Sequence, residues 1–183
     1  GEFLTYCNVA EVAGLVPAAF ASALPVQYLS FAEDLLDHFE GSLLITAPAG
    51  FGKTTFCRWH AIRDANRLVE KKASVLPVYR ALYPLSKALL GSFEDTFFGN
   101  DELKKLLQQQ AAGQSPFKRI RLYLDGLDEV TSQGRRDEIL ELAERATKDW
   151  EFLQVILTAR DHVSCAGLHW LPRIRLCELS EAK

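Results

Sequence analysis

The stretch APAGFGKT at residues 47–54 constrains this chain more than any other part of it. It follows a short apolar run, SLLIT at residues 42–46, and opens a segment of helical character running from Lys53 to about Asn66. Strand, glycine-rich turn and helix in that order make a loop whose backbone N–H groups point inward and can surround phosphate oxygens. Glycines permit the dihedrals and close approach that such a loop needs. Ala49, Gly50, Phe51, Gly52, Lys53, Thr54 and Thr55 are therefore the candidate phosphate-binding residues. Lys53 would reach the β- and γ-phosphates of a nucleotide, and the Thr54 hydroxyl would take a Mg²⁺ coordination position. The positive end of the helix dipole adds to both. The octapeptide fits GxxxxGK[ST] except at its first position, where Ala47 stands for glycine. A match this relaxed arises by chance in roughly one chain of this length in a hundred, so its place between strand and helix gives it weight.

A second signal is RIRLYLDGLDE at residues 119–129. An apolar strand ending in an aspartate brings a carboxylate to the rim of a sheet, where Asp125 would hold Mg²⁺, generally through water. Gly126 leaves room beside it, and Asp128 and Glu129 bring two further carboxylates, either of which could orient or deprotonate an attacking water. A third is FLQVILTAR at residues 152–160, another apolar strand ending in polar groups. Ligands of parallel sheets sit at the carboxyl ends of the strands, so Thr158 and Arg160 would face the same rim as Lys53 and Asp125. Arg160 is always protonated and could sense a γ-phosphate. His162 has no evident partner and reads as surface.

Further strands are expected at residues 73–81 and 174–179, two helices across residues 85–113 broken near Gly99 and Asn100, and an amphipathic helix at 136–150 with Ile139, Leu142, Ala143 and Ala146 on one face. Phe31, Leu35, Leu36 and Phe39 form a helical stripe ahead of Gly41. Alternating strands and helices predict an α/β fold, three layers αβα, with a mainly parallel five-stranded sheet of the P-loop NTPase kind. Residues 1–40 read as a helical lead-in and 41–183 as the nucleotide-binding domain. The opening Gly-Glu-Phe and the absence of Met suggest an expressed fragment of a longer protein, its first residues a cloning scar.

The 183 residues suffice for one domain with a hydrophobic core. A net charge of −3 gives no field to draw the domain onto nucleic acid or anionic lipid, so neither is an expected partner. The basic runs at 71–72, 104–105 and 118–121 read as solvated surface. No apolar run reaches membrane length. Cys7, Cys57, Cys165 and Cys177 lack disulfide or zinc spacing and read as reduced thiols of a cytoplasmic protein, with Cys57 and His60 packed in the core.

Together GKTT at residues 52–55, DGLDE at 125–129 and TAR at 158–160 resemble the NACHT group of STAND-type P-loop NTPases, over roughly residues 42–179. The small residue after the first aspartate, with acids just downstream, differs from AAA+ motors, which usually place the acid immediately after it. Ala47 stands where that group often has glycine, and Asp161 where it usually has proline. The resemblance implies a signalling switch. Such proteins exchange bound nucleoside diphosphate for triphosphate and assemble into homo-oligomers that activate an effector, often in innate immunity or defence. It assigns Asp125 to Mg²⁺, Asp128 or Glu129 to the water, and Arg160 to sensing. ATP is favoured over GTP only by the group's habit. That group continues into helical and winged-helix domains, so weak nucleotide binding and little hydrolysis are expected of this fragment. The alternative is the core of a working AAA+-type ATPase or motor.

Overall fold

The computed structural model describes residues 35–72, 74–88, 90–163 and 166–176. Residues 1–34, with the expected lead-in and Phe31, lie outside that set, as do Cys7, Cys165, Cys177 and the end of the last expected strand.

After a helical turn, α1 (Leu35–His38), the chain alternates: β1 (Leu43–Thr46), α2 (Lys53–Val69), β2 (Val75–Ala81), α3 (Phe93–Phe97), α4 (Asp101–Ala111), β3 (Arg119–Asp125), α5 (Gln133–Asp149), β4 (Leu153–Ala159) and β5 (Arg173–Arg175). The five strands form one sheet in the order β2-β3-β4-β1-β5, and every neighbouring pair is parallel. The expected "mainly" parallel sheet is thus parallel throughout.

Alternation along the strands builds two cores, one on each face. Leu43, Ile45, Tyr123 and Ile156 face α2, together with Phe56 and Cys57 from that helix. Leu44, Leu122, Leu124, Val155 and Leu157 face the other way, against Ile139, Leu140, Ala143 and Ala146 of α5 and the phenylalanines of α3. The result is the three-layer α/β arrangement of P-loop NTPases. All seven residues of the central strand β4 are buried, whereas β2, on the edge, is mostly half-buried and accommodates Pro77. Among the described residues, no helix is long and apolar enough to cross a membrane.

Several expected boundaries shift, three of them by two residues or more at the start of an element. The helix expected from residue 136 starts at Gln133, because Ser132 caps it by accepting the Arg135 N–H, a polar start that apolar periodicity does not reveal. The helix expected from residue 85 shrinks to α3, because Pro84 lies in a separate 3₁₀ turn (Tyr83–Ser86) and Ser92 caps the short helix after it. The break to α4 falls where anticipated, with Gly99 at φ 61° and the Asn100 side chain capping α4. The strand expected from residue 73 begins at Val75.

Candidate functional site

The loop between β1 and α2 bends at two glycines, Gly50 and Gly52, both at φ 83°, in the left-handed region where a side chain is strained. A Cβ at either would meet nothing within 4 Å, so both present bare backbone to open space. Ala47 needs no such freedom. Among the described residues Lys71 is the only non-glycine at positive φ, and the Ala47 methyl is buried in the α2-side core. The turn therefore opens without the usual glycine.

The start of α2 differs from the starts of α3, α4 and α5. Those three carry side-chain caps, from Ser92, Asn100 and Ser132. Gly52 supplies none to α2, and no acidic residue stands in its first turn. The leading N–H groups are thus left for an outside acceptor, at the positive end of the helix. Lys53 folds over the loop, its Nζ donating to the carbonyls of Ala47 and Pro48 at 2.9 Å each.

Across the rim, Asp125 ends β3 and is 5% exposed. Its Oδ1 accepts from the Thr158 hydroxyl at 2.7 Å and its Oδ2 from the Tyr79 hydroxyl at 2.8 Å. Thr158 in turn accepts the Gly126 N–H at 2.8 Å. The strand order explains this reach: β4 lies between β1 and β3, so its Thr158 stands between the phosphate loop and the aspartate. Thr158 is fully buried and acts on Asp125 rather than on the open rim.

Gly126 turns at φ 85°, and a Cβ there would come within 3.1 Å of the Glu129 carboxyl carbon. The absent side chain lets Glu129 fold back over the turn. Asp128 goes elsewhere. Its Oδ2 pairs with Arg160 Nε at 2.8 Å, and its Oδ1 accepts the Arg160 backbone N–H at 3.1 Å.

These groups share one cleft of about 300 Å³. From the loop side it is lined by Ala49, Gly50, Gly52, Lys53, Thr54 and Thr55, and from the opposite side by Asp125, Gly126, Asp128, Glu129 and Arg160. Phe51 is the exception among the expected residues, its ring packing partly buried against the core beneath the loop. The donor set suits a polyphosphate with Mg²⁺: uncapped N–H groups and a cation for the phosphates, and a hydroxyl and a carboxylate for the metal. No cluster of three or more His, Cys, Asp or Glu side chains among the described residues could hold a metal alone.

Two residues beside the site and one farther back on β3 escaped sequence reasoning. Tyr79, from the edge strand, grips the aspartate, and burial pushes its phenol up from the ordinary value. Arg58 of α2 donates from Nε to the Tyr79 hydroxyl at 3.3 Å and lies over its ring. Arg121, assigned with its basic run to solvated surface, is 3% exposed. It donates to Asp64, Gln154 and the Leu36 carbonyl at 2.7, 2.7 and 3.0 Å. Its position on β3, two residues before the buried Tyr123, forces it inward. Of the zinc-like pair, Cys57 and His60 are both buried on α2.

No protein-family model matches the chain, and no curated protein is similar to it in sequence at a significant level. Solved structures resemble it in fold. The Aeropyrum pernix ORC1 protein in complex with DNA is 15% identical over 76% of this chain and 40% of its own, with a TM-score of 0.45. The Aeropyrum pernix ORC2 protein, in ADPNP–ADP complexes, is 14% identical over 93% of this chain and 52% of its own, at 0.49. The C. elegans PCH-2 structure is 16% identical over 81% of this chain and 40% of its own, at 0.45. This chain spans about half or less of each of them.

Proposed function

We propose that this domain is the nucleotide-binding core of a signalling switch, taking a nucleoside triphosphate with Mg²⁺ and controlling assembly of a larger protein. The observation that carries the reading is the meeting of Lys53 and Thr54 with Asp125, Glu129 and Arg160 in one cleft. In this reading the N–H groups of the loop and Lys53 hold the phosphates, and Thr54 and Asp125 hold the metal, which neutralises phosphate charge when bound. The geometry divides the two downstream acids. Asp128 is engaged by Arg160 on both of its oxygens, so it aims the guanidinium. Glu129, folded over Gly126, is left to orient the water. Arg160 is 47% exposed and can exchange Asp128 for a phosphate oxygen. That exchange would report the presence of the terminal phosphate to the rest of the protein, the output of a switch. The DGLDE and TAR motifs support the NACHT-like form of this reading, with homo-oligomerisation in the triphosphate state and a role in innate immunity or defence.

Glu129 in the same cleft as Lys53 also suits a working AAA+-type ATPase, and turnover separates the two. The test is titration with fluorescent ATP and GTP analogues plus Mg²⁺, beside Lys53→Ala. Saturable binding that falls at least about a hundredfold in the variant, as expected for losing a buried phosphate contact, supports the site. The preferred analogue identifies the base. Wild-type protein that binds neither analogue refutes it. A switch turns over slowly; fast turnover stimulated by a polymer points to the motor. Glu129→Gln is expected to keep binding and to lower hydrolysis about 10²-fold or more, read as phosphate release.

A further inference from the structure

Asp125 is gripped by hydroxyls from two different strands. Thr158 belongs to the central strand and holds Oδ1. Tyr79 belongs to the edge strand and holds Oδ2. The register pairs Tyr79 with Tyr123 across β2 and β3, so the phenol reaches two residues along its neighbour to meet the carboxylate. A phenol has one proton to give. Its oxygen here accepts from Arg58 Nε at 3.3 Å, so the proton goes to Asp125 at 2.8 Å. Arg58, Tyr79 and Asp125 thus form one chain of bonds running in one direction, from an exposed guanidinium to the carboxylate.

A carboxylate has about four lone-pair sites. Two are taken by these hydroxyls, which fixes the plane of the group and leaves the remaining pairs for a ligand in the cleft that Asp125 lines. Without Tyr79 one bond remains, and the carboxylate can turn about it. Partners of this kind orient metal-binding groups and weigh heavily on metal affinity.

We infer that Tyr79 is a positioning residue for the metal site: its hydroxyl, backed by Arg58, holds Asp125 in the orientation that receives Mg²⁺ with a nucleotide. This rests on the nucleotide-binding reading above. Tyr79 acts through Asp125 and does not itself line the cleft. Its loss therefore separates metal-dependent from metal-independent binding, which a role in packing alone would not do.

The experiment compares binding of a fluorescent ATP analogue by the full chain in Mg²⁺ and in EDTA, for wild type, Tyr79→Phe and Arg58→Gln. In Tyr79→Phe the gain in affinity conferred by Mg²⁺ is expected to fall about tenfold, while affinity in EDTA stays within about twofold. Arg58→Gln lies at an exposed position that does not threaten folding. It is expected to reduce the same gain by a smaller factor, about twofold to threefold. An unchanged Mg²⁺ gain in both variants overturns the inference. So does a loss that is equal in Mg²⁺ and in EDTA, which marks Tyr79 as packing. Wild type that binds in neither condition overturns the parent reading and this one with it; wild type that binds normally beside unaffected variants overturns this one alone.

Discussion

Two buried polar clusters sit on the same face of β3, four residues and about 13 Å apart along the strand. At one, Arg121 spends its donors on Asp64, Gln154 and the Leu36 carbonyl, while Tyr123 donates to the same Asp64 oxygen at 2.7 Å. Gln154 completes the closure with bonds to the carbonyls of Phe39 and Gly41. At the other, Asp125 receives two hydroxyls and lines a cleft. The first cluster joins α1, α2, β3 and β4 and is sealed from water. The second is anchored equally well from behind and open in front. Burial alone does not mark function. The distinguishing property is whether the protein itself completes the set of partners.

The largest effect should come from opening the sealed cluster. Asp64→Ala leaves Arg121 charged and buried without its counterion, both side chains being 4% exposed. The expected loss is about 3–5 kcal/mol, a large part of a domain's stability, seen as a lower urea midpoint. Removing charge on both sides together, with Asp64→Leu and Arg121→Met, should cost less than Asp64→Ala alone. A double variant as unstable as the single one would show that the cluster's bonds matter beyond their charge balance.

At the open cluster the expectation reverses. Asp125→Asn should abolish the part of nucleotide affinity that depends on Mg²⁺ while changing unfolding free energy by no more than about 1 kcal/mol. Equilibrium unfolding beside a Mg²⁺ titration checks both halves. A large loss of stability here would erase the contrast between the two regions.

The smallest effect concerns a half-open case. Asp37 on α1 accepts both oxygens' worth of contact from Arg67, at 2.8 and 2.9 Å, and pairs with Arg63 at 2.8 Å. Burial works to raise its pKa, but the Arg67 hydrogen bond and the charges of Arg63, Arg67 and Arg121 outweigh it and hold the carboxyl below its ordinary 3.8. A folded value below the unfolded one gives stability that is present above about pH 4 and lost as pH falls through the folded value. Asp37 is a third exposed, so solvent screening limits the contribution to less than about 1 kcal/mol. Asp37→Asn should therefore lower stability slightly at pH 7 and hardly at all near pH 2, measured as thermal midpoints at the two pH values.

The sequence made the rim legible because its residues stand at strand ends beside glycines. Gly52 beside Lys53, Gly126 beside Asp125, and an apolar run leading into Arg160 are local patterns. The backing of the site was not legible in the same way. Tyr79 lies 46 residues from Asp125, and Asp64 lies 57 from Arg121, and nothing local joins them. Arg121 was masked further by its basic neighbours, though a usable signal was present. On a strand buried along nearly its whole length, the period of two places Arg121, Tyr123 and Asp125 on one face, so a charged residue there must find a partner inside. The separate placement of Asp128, on Arg160, and Glu129, over Gly126, was equally out of reach. It depends on how a left-handed turn at Gly126 swings two adjacent carboxylates apart.

Cys57 is fully buried on α2, one turn past the phosphate loop, and burial foremost, with Asp125 nearby, pushes its thiol well above the ordinary value. A thiol in that state is chemically silent while the helix is seated. Its rate of alkylation therefore serves as a clock for the moments when α2 lifts from the sheet, and any ligand that fastens the loop to the helix must slow that clock.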